Sequence, residues 1–205
     1  GDDYVECDVI LNAKRRRAIL PEMGEPELEK NGHFLQINEY MQTSAPNVYA
    51  AGDVTKQFFA QVASAQALTA VNHMNDIKET LDYNKLPVNI YTDPEIAYVG
   101  YNEEQLKQKG IDYKVGKFPL SVNGKAMIEG ETEGFVKVLS ETKYGEVMGV
   151  HIVAADATDM IAEAVMAMRL ESTVDELARV VHAHPTISET FMEASYVAAD
   201  RPVHI

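Results

Sequence analysis

Near its C-terminus the chain reads His182-Ala183-His184-Pro185-Thr186-Ile187-Ser188-Glu189. A proline restricts the backbone of this turn, and a carboxylate follows the imidazole of His184 five residues later. A carboxylate bonded to one ring nitrogen of a histidine fixes the tautomer and raises the basicity of the other nitrogen. His184 and Glu189 are therefore candidates for a general base and its orienting group. We also expect the His184–Pro185 peptide bond to be cis, as in many tight turns at functional sites.

Both residues also have a purely structural interpretation. A histidine in a turn needs no catalytic role, and Thr186-Ile187-Ser188-Glu189 has the sequence of a helix capping box. The two interpretations are compatible, because a capping carboxylate lies at the helix mouth beside the turn. A metal site is not expected, since His182 and His184 alternate on an extended chain and no cysteine or third histidine lies at ligand spacing.

A second signature lies far upstream, where Thr43–Val54 reads Thr-Ser-Ala-Pro-Asn-Val-Tyr-Ala-Ala-Gly-Asp-Val. It predicts a short apolar strand that ends in Gly52-Asp53, and strand ends are where sheets commonly meet ligands. Taken alone, a Gly-Asp pair is more often a turn with a capping aspartate.

In this order, the two motifs resemble the C-terminal half of the class I pyridine nucleotide-disulfide oxidoreductases, which are flavoproteins. The resemblance is densest to the branch that oxidises dihydrolipoamide. It implies that His184 is the base, oriented by Glu189, and that it acts on a redox-active disulfide of the opposite subunit of a homodimer.

The resemblance also assigns the upstream signature to FAD. It implies that Asp53 holds a hydroxyl of the FAD ribitol and that Gly52 lets the chain approach the cofactor closely. The helix predicted to open at Ala60-Gln61 would then direct its free N–H groups at the flavin ring.

The implied reaction passes electrons from dihydrolipoamide, carried by the acyltransferase of a 2-oxoacid dehydrogenase complex, through a disulfide and FAD to NAD. Relatives of the glutathione reductase or mercuric reductase type remain alternatives, as does a dimerisation module without catalysis. The thiol substrate and the choice between NAD and NADP stay open, because the residues that would select them are expected upstream.

Two requirements of the family's reaction are missing from this sequence. There is no Gly-x-Gly-x-x-Gly turn for a pyrophosphate, and the one cysteine, Cys7, cannot close an intramolecular disulfide. We therefore expect a fragment of the enzyme that is inactive alone and does not retain FAD alone. Whether it is a truncation, a proteolytic fragment or a natural short form is left open.

One segment departs from the family's usual Ala-Thr-Gly-Arg-x-Pro-Asn turn. Here Ala13–Ile19 reads Ala-Lys-Arg-Arg-Arg-Ala-Ile, so Arg15 stands where a glycine is usual. That replacement puts the local cofactor geometry in question. The run Lys14–Arg17 is either a solvated turn or a site for a phosphate or an acidic partner.

Composition excludes several other functions. The 205 residues carry a net charge of −14, which argues against nucleic acid as a partner. No apolar stretch approaches the roughly 20 residues that span a bilayer, so no membrane association is expected. A lone cysteine fits a reducing compartment, and we expect a cytoplasmic protein.

The predicted fold class is α+β, in two domains. Residues 1–85 are expected to be the last part of an FAD/NAD-binding α/β domain, and residues 86–205 an interface (dimerisation) domain of antiparallel strands and helices. In the first part we predict strands at 3–11, 33–37 and 48–50, a loop at 21–32 and a helix at 60–81. The helix would bury the side chains of Val62, Ala65, Leu68, Val71 and Ile77.

In the second part, strands are predicted at 88–91, 96–99, 111–118, 134–139 and 146–153. A capping box at Asn102 and Gln105 predicts a helix that Gly110 ends. Further helices are predicted at 156–170, with Ile161, Val165 and Met168 inward, at 173–181 behind a capping box, and from Pro185 to about Ala199.

Overall fold

A computed structural model describes residues 4–14, 16–20, 22, 24 and 27–205. The predicted strand at 3–11 and the predicted loop at 21–32 therefore lie partly outside the described residues. Arg15 lies outside them altogether. The chain forms two compact units, residues 1–81 and residues 82–205. No helix in the part of the chain that the structure describes is long and apolar enough to cross a membrane.

The first unit has little regular structure. Strands β1 (Lys30–Asn31) and β2 (Phe34–Leu35) form a hairpin around Gly32, a 3-10 turn covers Gly52–Thr55, and helix α1 spans Ala60–Met74. A small apolar cluster contains the buried side chains of Leu28, Leu35, Ala45 and Ala50.

Two predicted strands of this unit are wrong. Residues 4–11 form no regular secondary structure, and the side chains of Val9, Ile10 and Leu11 are exposed, because no described strand lies beside them to complete a ladder. In place of the strand at 48–50 there is one isolated bridge, between Gln42 and Tyr49.

Helix α1 differs from its prediction in length and in its buried face. It ends at Met74, and it buries Val62, Gln66, Thr69 and Ala70, whereas Leu68 and Val71 are exposed. A polar residue faces inward because Gln66 hydrogen-bonds the Gly52–Thr55 turn. Apolar periodicity therefore predicts the burial of Val62 correctly and that of Leu68 and Val71 wrongly.

The second unit contains a five-stranded antiparallel sheet. Its strands are β3 (Val88–Ile90), β4 (Glu95–Gly100), β5 (Tyr113–Pro119), β6 (Phe135–Glu141) and β7 (Val147–Ala154), and their order across the sheet is β3-β4-β7-β6-β5. The helices are α2 (Glu103–Lys109), α3 (Gly124–Glu129), α4 (Ala157–Arg169), α5 (Val174–Ala178) and α6 (Glu189–Ala198).

Most predicted elements of this unit are present, with ends shifted by a few residues. Helix α2 has the complete capping box of Asn102 and Gln105, and Gly110 ends it with a left-handed backbone. Before α5, Thr173 accepts a hydrogen bond from the Glu176 N–H. Helix α3 and the 3-10 turn before it (Leu120–Val122) were not predicted.

Helices α4 and α6 cover one face of the sheet. Helix α4 packs on β4 and β7, and α6 packs on β5 and β6. The core between them includes Ala97, Val99, Val136, Val138, Val150 and Ile152. Gly116 of β5 lets α6 approach, since a Cβ atom there would lie 1.9 Å from the carbonyl oxygen of Ala194.

The other face of the sheet carries a row of polar and aromatic side chains. Tyr98, His151 and Lys137 are cross-strand neighbours on β4, β7 and β6, and the rings of Tyr98 and His151 stack. Burial, together with the charge of Lys137, lowers the pKa of His151 to about 4. His151 is therefore neutral near pH 7.

Candidate active site

The loop at 179–188 joins α5 to α6 and carries His184. The His184–Pro185 peptide bond is cis, which confirms the expectation from the sequence. The Thr186 hydroxyl donates to the Ala183 carbonyl at 2.8 Å and closes the turn. Asn123, a buried residue from another segment of the chain, also holds the loop, since its side-chain amide donates to the Thr186 carbonyl at 3.1 Å.

His184 and Glu189 are in direct contact. The ring Nδ1 of His184 lies 2.9 Å from Oε1 of Glu189, and the other carboxylate oxygen accepts the Thr186 N–H at 2.8 Å. The His184 side chain is 80% exposed, whereas the Glu189 side chain is only 19% exposed. In a neutral ring whose Nδ1 donates to the carboxylate, Nε2 carries the lone pair that can accept a proton.

Glu189 remains ionised in this setting. Its burial would raise the pKa of the carboxyl group, but the Thr186 N–H and the neighbouring His184 outweigh burial and lower that pKa. An ionised carboxylate stabilises the imidazolium that forms when Nε2 takes a proton.

The predicted capping box at Thr186–Glu189 is only half formed. Glu189 accepts the Thr186 N–H, but the Thr186 hydroxyl bonds Ala183, and α6 begins at Glu189. The carboxylate therefore links the turn to the imidazole, which a role in capping alone would not require.

A cavity of about 290 Å³ opens beside His184 and Glu189. Phe118, Val122 and Met192 line its apolar side. It offers room beside the imidazole for a reacting group.

Sequence reasoning gave no role to Asn123 or to Glu163, although both touch the loop. Asn123 had a local signal, because it accepts the Ala126 N–H as the N-cap of α3, and Gly130 ends that short helix. Glu163 lies on α4, where its Oε1 is 2.9 Å from Nε2 of His182. No local pattern links residues that are 19 positions apart.

In the first unit, the Gly52–Thr55 turn is fixed by α1. The Gly52 N–H donates to Oε1 of the fully buried Gln66 at 2.6 Å, and the Thr55 hydroxyl donates to the Gly52 carbonyl at 2.8 Å. Gly52 has φ of +78°, and a Cβ atom there would lie 3.1 Å from Cβ of Ala63. A glycine is therefore favoured by both backbone conformation and space.

Asp53 lies on the outside of this turn. Its half-exposed carboxylate lies 3.0 Å from a guanidinium nitrogen of Arg16, which also approaches the Phe58 carbonyl at 3.4 Å. Arg16 occupies the arginine position of the family's turn pattern. An exposed ion pair contributes at most about 1 kcal/mol, so a ligand hydroxyl can compete for the carboxylate.

Ala60 and Gln61 form the first turn of α1, and both are exposed. The preceding residue, Phe59, provides no side-chain cap. The N–H groups of that turn and the associated positive end of the helix dipole are therefore suited to negative charge. Whether the four predicted cofactor residues bind FAD stays a prediction.

Comparison with known proteins gives consistent results for the two units. The pattern of the pyridine nucleotide-disulphide oxidoreductase dimerisation domain matches residues 86–195, and that of pyridine nucleotide-disulphide oxidoreductases matches residues 4–72. Mitochondrial dihydrolipoyl dehydrogenases from Sus scrofa and Homo sapiens are both 40% identical to the chain over 202 residues. Those 202 residues cover 96% of this chain but 40% of each relative.

Solved structures with a similar fold include those of a flavoprotein disulfide reductase. LpdA from Mycobacterium tuberculosis superposes with a TM-score of 0.77 at 28% identity, over 82% of this chain and 37% of that one. The flavoprotein disulfide reductase RclA from Escherichia coli, as its Cu(II) complex, has a TM-score of 0.76 at 22% identity, over 83% of this chain and 40% of that one. The RclA likeness shows the fold alone.

Proposed function

The chain belongs to the pyridine nucleotide-disulphide oxidoreductase family, and we propose that it supplies the dimer interface and the His184–Glu189 base of a dihydrolipoamide dehydrogenase. The observation that carries the proposal is the 2.9 Å contact between the exposed imidazole and the sheltered carboxylate. Similarity to dihydrolipoyl dehydrogenases along nearly the whole chain supports the choice of substrate.

The chemistry requires such a base. A thiol with an ordinary pKa near 8.5 is only a few per cent ionised at neutral pH, and the thiolate is the nucleophile. Nε2 of His184 takes the proton from a dihydrolipoamide thiol, and the thiolate then attacks a disulfide sulfur. A mixed disulfide forms, and the electron pair of the broken S–S bond leaves on the other sulfur. The protonated His184 returns its proton to that leaving thiolate. The second dihydrolipoamide thiol then attacks the mixed disulfide in the same way, which closes the disulfide of oxidised lipoamide and leaves both protein sulfurs reduced.

The disulfide lies outside these 205 residues in this proposal, because the chain has one cysteine. The exposure of His184 agrees with a base that acts on a group presented by another subunit. A homodimer completes the site in this scheme, and the lipoyl group arrives on the acyltransferase of a 2-oxoacid dehydrogenase complex.

The first unit fits part of an FAD site. Gly52 packs closely on α1 and would let the chain approach the cofactor, Asp53 offers an acceptor for a ribitol hydroxyl, and the first turn of α1 at Ala60–Gln61 offers the positive end of the helix dipole to the flavin. When bound there, FAD would supply the electron acceptor that links the thiol pair to NAD. The pyrophosphate site is not in this sequence, so we propose that the chain alone does not retain FAD.

The test is the NAD-dependent oxidation of dihydrolipoamide by the product of the complete gene. We expect His184→Gln to slow thiol–disulfide exchange on the order of 10²- to 10⁴-fold, and Glu189→Gln to slow it less, with flavin content unchanged. His33→Gln is the control, since His33 is an exposed histidine of the first unit. Wild-type activity in the His184 variant would refute the proposal.

A further inference from the structure

His182 and His184 share one loop but lie in opposite environments. The His182 side chain is 7% exposed, against 80% for His184. Nε2 of His182 lies 2.9 Å from Oε1 of Glu163 on α4, and its Nδ1 lies 3.2 Å from the Val180 carbonyl. Both nitrogens of the buried ring therefore have partners.

The contacts continue from this ring to the candidate base. Ala183 follows His182 and accepts the Thr186 hydroxyl at 2.8 Å. The Thr186 N–H donates to Glu189, which holds His184 through its other oxygen. A short series of polar contacts thus joins α4 to the His184–Glu189 pair.

Charge couples the same groups. The hydrogen bond that the His182 ring donates to the Glu163 carboxylate raises the pKa of His182 against the effect of burial, and the Val180 carbonyl and the charge of Glu189 add to the increase. In return, His182 is one of the groups that lower the pKa of Glu189. The titratable groups that act on the pKa of His182 are Glu163 from α4 and Glu189 from α6.

We infer that Glu163 and His182 are positioning residues that hold the loop of His184 and Glu189 against helix α4. Neither residue touches the reacting sulfur in this scheme. They fix the turn from which Glu189 orients the imidazole. The catalytic consequence rests on the proposed function, whereas the positioning can be measured without any activity.

The experiment is a Glu163→Gln substitution in the 205-residue chain, followed by NMR titration of the Glu189 carboxylate and the His182 ring. The variant keeps the size of the side chain but removes its charge. We expect the pKa of His182 to fall. We expect the pKa of Glu189 to rise toward its ordinary value, because the loop no longer holds the Thr186 N–H and His184 in place and because an unprotonated His182 no longer adds its positive charge.

A matched control separates positioning from stability. Glu103 resembles Glu163 in exposure, 37% against 34%, and it forms a 2.8 Å ion pair with Lys137 on the sheet. Glu103→Gln removes a charge pair away from the loop, so it should lower the thermal midpoint and leave the pKa of Glu189 unchanged. Glu163→Asp keeps the charge, so the pKa of Glu189 in this variant should lie between the values of the wild type and of Glu163→Gln.

The inference is wrong if the pKa of His182 falls in Glu163→Gln while the pKa of Glu189 stays the same. It is also wrong if Glu103→Gln moves the pKa of Glu189 equally. The proposed function fails separately, through wild-type activity of the His184 variant. In the full enzyme, Glu163→Gln should slow exchange roughly tenfold, less than the ~10²-fold cost of a 1 Å misplacement.

Discussion

At the scale of single residues, the ionisation of His151 links stability to pH. Its pKa falls from the ordinary 6.5 to about 4 in the folded chain, because burial and Lys137 disfavour the imidazolium. Below pH 6.5 the unfolded chain therefore binds a proton that the folded chain does not. This part of the stability is complete above pH 6.5 and is lost as pH falls toward 4.

We expect the wild-type chain to lose about 2 kcal/mol of unfolding free energy through His151 between pH 7.5 and pH 5, at about 1.4 kcal/mol per pH unit. His151→Gln cannot take up the proton and should lose less over the same interval. Urea unfolding at the two pH values measures the difference. Equal losses in the two proteins would contradict the depressed pKa.

Local sequence patterns predicted the contacts of some residues correctly but could not predict the contacts of others. Asn102 and Gln105 lie three positions apart and form the expected capping box, because all its atoms belong to one helical turn. The burial of Gln66 depends on a turn formed by residues 52–55, and the contact of His182 with Glu163 depends on how α4 packs. Neither follows from residues nearby in sequence.

At the scale of elements, the position of α6 depends on Gly116. A Cβ atom there would lie 1.9 Å from the Ala194 carbonyl oxygen and 2.4 Å from the Ala198 nitrogen, both in the backbone of α6. We expect Gly116→Ala to cost about 1–3 kcal/mol or more of unfolding free energy, since a helix must shift to admit the methyl group.

Gly124 provides the control for that substitution. A Cβ atom at Gly124 would meet nothing within 4 Å, and the residue begins α3. Gly124→Ala should be neutral or slightly stabilising, because alanine favours a helix over glycine. Equal midpoints for the two variants in thermal unfolding would show that α6 does not need the close approach.

The predicted strands formed where neighbouring strands were available to pair with them. The alternating strands β4, β6 and β7 formed as expected because each pairs on both sides within the sheet. The apolar segment at residues 9–11 has a comparable composition but no described neighbour, and it remained coil. Apolar sequence alone therefore did not determine a strand.

At the scale of the whole molecule, we expect the chain to form a homodimer through residues from about Leu86 onward. Met166 of helix α4 and Leu170, the residue that caps its C-terminus, are both exposed on a domain of the dimerisation type. A surface of this kind is expected to be covered by a second copy in a large apolar interface. Analytical ultracentrifugation at tens of micromolar should show a dimer.

Met166→Glu should weaken that dimer, since it places a charge in the interface. Leu68 on α1 is the matched control, because Leu68 and Met166 are both 66% exposed but Leu68 belongs to the other unit. Leu68→Glu should leave the dimer intact. A monomeric wild-type chain would contradict the predicted dimer, and dissociation by the Leu68 substitution alone would place the interface elsewhere.

The strand order of the sheet also determines when this unit can fold during translation. Strand β7 lies between β4 and β6, yet it is the last of the five strands to leave the ribosome. Until Ala154 emerges, β4 and β6 each have an unpaired inner edge, and those open edges favour association between nascent chains. Slow decoding between β6 and β7 would lengthen that interval, so the yield of soluble protein should respond to codon choice there.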